Sequence, residues 1–151
     1  MAWSEPKSGI ISGPLLDRID IQVEVQLVEF DAMSSTTDGE SSASIRARVV
    51  KARDIQSRRF ADNPEVHCNA QMTSAMLRKY CAINSDGLTL LKEAMTQLNM
   101  SARAYIRILK VARTIADLEG AEVVSFSHIS EAISYRNLDR GDWAERQSAE
   151  P

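Results

Sequence analysis

No G-x-x-x-x-G-K-[ST] run occurs anywhere in these 151 residues, so the loop that cradles a nucleotide's phosphates is missing. Aromatic residues are scarce at 5%, which leaves Leu, Ile, Val, Ala and Met to fill a core, as in many helical bundles. Only Cys68 and Cys81 could bridge; two cysteines make no disulfide framework, and cytosolic thiols are the expectation. His67 does not turn them into a zinc set, because two cysteines thirteen apart with one histidine match no usual ligand spacing. No metal site is assigned. No apolar run approaches the roughly 20 residues that span a bilayer, and no charged-then-apolar leader opens the chain. A cytoplasmic protein with no membrane partner is expected.

What is present is ordinary in bulk and uneven in detail. A chain with 44% hydrophobic and 26% charged residues fits one globular domain with flanking segments. The net charge of −3 conceals three blocks. Residues 1–45 hold two bases and eight acids, 46–113 hold 13 bases and five acids, and 114–151 hold three bases and eight acids. The basic middle could face the phosphates of a nucleotide or of a nucleic acid. For any single residue in it, a solvated helix face is the more ordinary reading.

Along the chain, Ile19, Ile21, Val23, Val25 and Leu27 alternate with polar residues, a period-two pattern that predicts a strand. No second run of that quality follows, so its sheet partners are missing from this chain. Residues 34–44, SSTTDGESSAS, are loop-like. Everything after reads as helix. Ile45, Val49, Ala52 and Gln56 fall on one line of a helix that Asp62-Asn63-Pro64 ends. A short helix is expected over Thr73–Cys81, and Ser85 is the expected cap of a helix carrying Leu88, Leu91, Met95 and Leu98. The longest helix starts at Ser101 and stops at Gly120, with Ala104, Ile108, Val111, Ile115 and Leu118 as its buried stripe. Ser127 is the expected cap of a final helix through Ile129, Ala132, Ile133 and Tyr135. The fold class is therefore mostly α: a small helical bundle preceded by one strand.

Two arginines stand in conspicuous settings. GPLLDRID at 13–20 puts Arg18 just before the strand, and SARAYIRILKVARTIADLE at 101–119 puts Arg103 in the first turn of the long helix. Arginine offers a planar, permanently charged fork suited to phosphate oxygens. Taken alone, Arg18 between Asp17 and Asp20 is better explained by a structural ion pair. Arg107 and Arg113 fit helix-surface or ion-pairing roles, His128 a surface position at a helix start, and Tyr80 and Tyr105 packing.

GPLLDRIDIQVEV at 13–25, GESSASIRARVVKAR at 39–53, NAQM at 69–72 and SARAYIRILKVARTIADLEGAEVVSFSHISEAISYR at 101–136 resemble one family. They are similar to the carboxy-terminal portion of the magnesium-chelatase-like AAA+ ATPases, the YifB/ComM competence group, over roughly Ile10 to Arg140. Residues 1–9 do not resemble it and are expected to be a foreign or truncated end. The resemblance implies that residues 10–30 end an ATPase core, 31–66 form a connector insert with one helix, 67–138 form the helical lid, and 139–151 form a flexible tail. It implies that Arg18 is the arginine finger reaching the γ-phosphate of a neighbouring subunit's ATP. Arg103 would be sensor 2, also touching nucleotide, and through the connector it could act across a subunit boundary. ATP and Mg²⁺ are then expected with the full-length parent and neither with this chain alone, which lacks the Walker A loop and the Mg²⁺-binding acidic strand end. Implied partners are neighbouring subunits of a homo-hexameric ring, and possible DNA, with turnover driving branch migration in competence. Two other readings stay open: a stand-alone helical module binding DNA or protein, and an ATPase subunit for magnesium insertion into porphyrin.

Overall fold

The computed structural model describes residues 18–23, 25 and 39–136. Their helices are α1 Ser42–Arg59, α2 Ser74–Tyr80, α3 Ser85–Gln97, α4 Ala102–Glu119 and α5 Phe126–Ser134, with a 3₁₀ turn at Asn69–Gln71 before α2. Each start has a local cause. The Ser41 hydroxyl accepts from Ser44 N–H at the head of α1 (3.2 Å), and the Thr73 hydroxyl accepts from Met76 N–H at the head of α2 (3.3 Å). These bonds satisfy N–H groups that a helix leaves unpaired in its first turn. At α4, Ser101 Oγ accepts from Ala104 N–H (3.1 Å), and Gly120 closes the helix in the left-handed region at φ +76°. Both ends match the sequence expectation.

Two caps move. Asn84, not Ser85, caps α3, its Oδ1 accepting from Gly87 N–H at 3.0 Å. Ser125, not Ser127, caps α5. Both shifts have one origin: the chains entering α3 and α5 are pinned side by side. Ile83 and Val124 form a parallel bridge, with Asn84 N–H donating to Val124 C=O (3.2 Å) and Val124 N–H donating to Ala82 C=O (3.1 Å). Residues held extended in that clasp put the first helical turn one position after Asn84 and after Ser125.

Helix α4 is the axle of the bundle. It packs against α1, α2, α5 and the 3₁₀ turn, while α3 packs on α5. Being covered on several sides, it buries an arc wider than one stripe: Ala104, Ile108, Leu109, Ala112, Ile115 and Ala116, together with Arg113 and Asp117. The expected Ala104, Ile108 and Ile115 are buried, whereas Val111 is half-buried and Leu118 is exposed. Leu77, Cys81, Leu91, Val124, Ile129 and Ala132 complete the centre. Phe60 meets Tyr80 edge-on with ring centroids 5.7 Å apart, a favourable quadrupole arrangement.

Helix α1 is anchored only by its second half. Ala52, Gln56 and the following Phe60 are buried, but residues 42–51 are all exposed, Ile45 and Val49 included. The expected stripe continues past the bundle's edge, where no described element covers it. The expected strand is not formed among the described residues: 19–23 and 25 carry no strand pairing, and Ile21, Val23 and Val25 are exposed. A strand needs a neighbour for its N–H and C=O groups. Here Gln22 N–H instead donates to Tyr135 C=O at the end of α5 (2.8 Å). Glu24, Gln26, Leu27, residues 1–9 and residues 139–151 lie outside the described residues.

Candidate functional site

The first half of α4 presents a row of cations. Arg103, Arg107 and Lys110 sit at i, i+4 and i+7, which places them on one side of the helix. With Asp20, Ala70, Ala102 and Ile106 they line an open cavity of about 360 Å³. Arg103 is exposed in the first turn, where the helix dipole adds partial positive charge. One turn deeper, Arg107 forms an ion pair with Asp20. Lys110 Nζ donates to Ala70 C=O at 2.6 Å, which ties the 3₁₀ turn to α4.

Arg18 is exposed in a turn two residues before Asp20. The Asp20–Arg107 pair therefore brings the segment after Arg18 to the wall of the cavity that Arg103 lines. Asp20, two residues after Arg18, and Arg103 line the same cavity. Among the described residues the ion pair of Asp20 is with Arg107. Asp17 lies outside the described residues.

The chemistry of the lining suits an anion's edge. Its side-chain donors are guanidinium and ammonium groups, which match phosphate oxygens. Its one carboxylate, Asp20, is ion-paired with Arg107. Among the described residues no group of three His, Cys, Asp or Glu side chains could hold a metal ion. The cavity is open, its walls formed by α4, the 3₁₀ turn at Ala70 and the segment at Asp20.

Behind this site lies a buried polar knot that joins α1 to α4. Asp117, fully buried, accepts from both terminal nitrogens of Arg59 (2.7 Å for Nη1 to Oδ2), from Asn69 Nδ2 (2.8 Å) and from Arg113 Nε (3.1 Å). Asn69 Nδ2 also donates to Thr114 Oγ1 (3.1 Å), and Asn69 N–H donates to Gln56 Oε1 (3.3 Å). Arg113 spends its terminal nitrogens on Ala121 C=O and Glu122 C=O (2.7 Å for the latter). Burial alone would raise the Asp117 carboxyl, but the hydrogen bonds from Arg59 and Asn69 and the charges of Arg59 and Arg113 outweigh it. The carboxyl is held below its ordinary value.

Residues 39–136 match the family model described as magnesium chelatase, subunit ChlI C-terminal. The chain belongs to that family. Over 131 residues it is 40% identical to the uncharacterized protein YifB of Salmonella typhimurium, and 40% identical to the competence protein ComM of Haemophilus influenzae. The YifB protein of Escherichia coli is 39% identical over the same length. Each match covers 86% of this chain and 25% of the relative, so the chain spans about a quarter of the length of these relatives. The YifB/ComM resemblance in the sequence is thereby established.

Within this family domain, several positions depart from their sequence reading. His128 is not a surface residue: it is buried, with Nδ1 accepting from Ser125 N–H (2.9 Å) and Nε2 facing Glu119 Oε2 at 2.8 Å. That accounts for a histidine three residues after the cap, where its ring returns a bond to the cap's backbone. Arg107 and Arg113 are ion-paired, as expected. Arg59, the last residue of α1, is a main strut of the polar knot. The Arg113–Asp117 spacing of four was a visible signal of pairing. The third partner, Asn69, sits 48 residues from Asp117 in sequence and had no signature beyond its place in NAQM.

Proposed function

We propose that this chain is the lid end of a ring-forming AAA+ ATPase of the YifB/ComM type and supplies two arginines to a neighbouring subunit's ATP. Arg18 is the arginine finger and Arg103 is sensor 2. In this reading residues 10–30 end the ATPase core, 31–66 are the connector and 67–138 are the lid. ATP and Mg²⁺ bind mainly to parts of the parent that this chain does not contain. The parent is a cytoplasmic homo-hexamer, and its turnover drives branch migration of DNA.

The observation that carries the reading is the convergence of the segment after Arg18 and the first turn of α4 on one cavity wall. Phosphoryl transfer needs charge stabilisation at the γ-phosphoryl oxygens and the leaving oxygen as the bond breaks. A guanidinium held at the open edge of a subunit can reach a nucleotide seated on the next one, and arginine fingers contribute about 10³- to 10⁵-fold in rate. The missing phosphate loop makes the same point from the other side: the arginines need a nucleotide held elsewhere.

The test is steady-state ATP turnover by the assembled parent ring. Arg18→Ala should lower kcat by about 10³-fold or more while nucleotide binding is largely kept, because a finger acts chiefly in the transition state. Arg103→Ala should lower kcat with some loss of affinity, and lysine should rescue poorly at either position, keeping the charge but losing the fork. Normal turnover by an assembled Arg18→Ala ring would return Arg18 to a structural role.

A further inference from the structure

Three contacts fasten the short segment after Arg18 to the bundle. Arg107 pairs with Asp20 from α4. Arg136, a buried arginine just past α5, donates through Nη1 to Ile19 C=O at 3.0 Å. Gln22 N–H donates to Tyr135 C=O at 2.8 Å. The apolar side chains of the segment contribute little, since Ile21, Val23 and Val25 are exposed. The attachment is therefore polar and specific to residues 19–22. Arg107 stands one turn from Arg103 on the same helix, so the fastening point and sensor 2 share a rigid element.

We propose that Arg107 and Asp20 are positioning residues that lash the finger segment to the lid, so that Arg18 and Arg103 move as one unit. The proposal rests on the ATPase reading for its consequence, and on the contacts alone for its existence. The end of the ATPase core and the lid then turn together, carrying both arginines toward or away from the neighbouring nucleotide. Arg107 does not contact phosphate in this arrangement; its guanidinium is committed to Asp20. That separates it from Arg103 although both line the cavity.

A charge swap tests this with two readouts. The first is hydrogen exchange at the Gln22 amide of this 151-residue chain, with the α5 amides as a control for folding. Arg107→Asp and Asp20→Arg singly should speed exchange at Gln22 about two- to fivefold, the range of a partly exposed ion pair. The double variant should recover most of the protection. The second readout is turnover by the parent ring. Each single variant should lower kcat by roughly ten- to a hundredfold, the scale of a small misplacement, with KM within about twofold, and the swap should restore it. If Arg107 touched phosphate instead, an aspartate there would repel the nucleotide, KM would rise and the swap could not rescue. That pattern overturns the proposal, as does Gln22 exchange unchanged in either single variant or unrecovered in the double. A native ring without ATP turnover would remove the ATPase reading, and the exchange result would then decide alone.

Discussion

Asp117 shows how one side chain can hold two helices in register. Its carboxylate receives Arg59 from α1, Asn69 from the 3₁₀ turn and Arg113 from its own helix, so removing it strands two guanidinium groups in the interior. Breaking a buried pair by deleting one partner costs about 3–5 kcal/mol, and Asp117→Ala should lower the unfolding free energy by that order, seen as a lower urea midpoint. The pH dependence has a definite sign. A carboxyl whose folded pKa is depressed adds stability that is present above the unfolded value of about 3.9 and lost as pH falls through the folded value. Stability should therefore decline in acid below about pH 4, and the decline should be shallower in Asp117→Asn. The two thiols differ as sharply. Burial pushes Cys81 up to about 11 against the opposing charges of Arg113 and Arg59, while Cys68 is only half-buried. The thiolate is the reactive form, so titration of the folded chain with a thiol reagent at pH 8 should give one fast equivalent, at Cys68. The second should appear only on unfolding; two fast equivalents would mean that Cys81 is not buried.

At the scale of elements, periodicity and caps made most of the bundle legible. The spans of α1, α2 and α4, with Ser101 and Gly120 at the ends of α4, followed from residues that each act on their own backbone neighbours. What stayed hidden depended on partners distant in sequence. The shift from Ser85 to Asn84 and from Ser127 to Ser125 comes from the Ile83–Val124 clasp, which no local pattern announces. The exposure of Ile45 and Val49 depends on where the bundle stops under α1. The Ile19–Leu27 alternation was a sound strand signal, but nothing among the described residues pairs with its described part. Of the candidate site, Arg18 and Arg103 were legible as motif residues; the Asp20–Arg107 link between them was not. The capping assignment can be checked directly. Asn84→Ala should cost about 1 kcal/mol, the usual loss of a helix cap, against no more than about half of that for Ser85→Ala. Denaturant unfolding of the two variants measures it, and the reverse order would restore Ser85 as the cap.

For the whole molecule, the basic block at 46–113 looks different once its partners are known. Arg59 and Arg113 are consumed by Asp117, Arg107 by Asp20 and Arg48 by Glu40. Four of the block's 13 bases are thus held by carboxylates. No described helix is long and apolar enough to cross a membrane. What remains is a bundle whose axle, α4, meets α1 at the polar knot and the segment after Arg18 at Arg107, in the middle of its cation row. The central claim is that Arg18 acts on a nucleotide held by another subunit. Rings assembled from a mixture of Arg18→Ala subunits and subunits disabled in the phosphate loop test it most directly. Each parent ring is inactive alone, and mixing creates interfaces that combine an intact finger with an intact loop. The account predicts partial recovery of ATP turnover in the mixture; if the mixed rings assemble yet stay as inactive as their parents, Arg18 does not act across the subunit boundary.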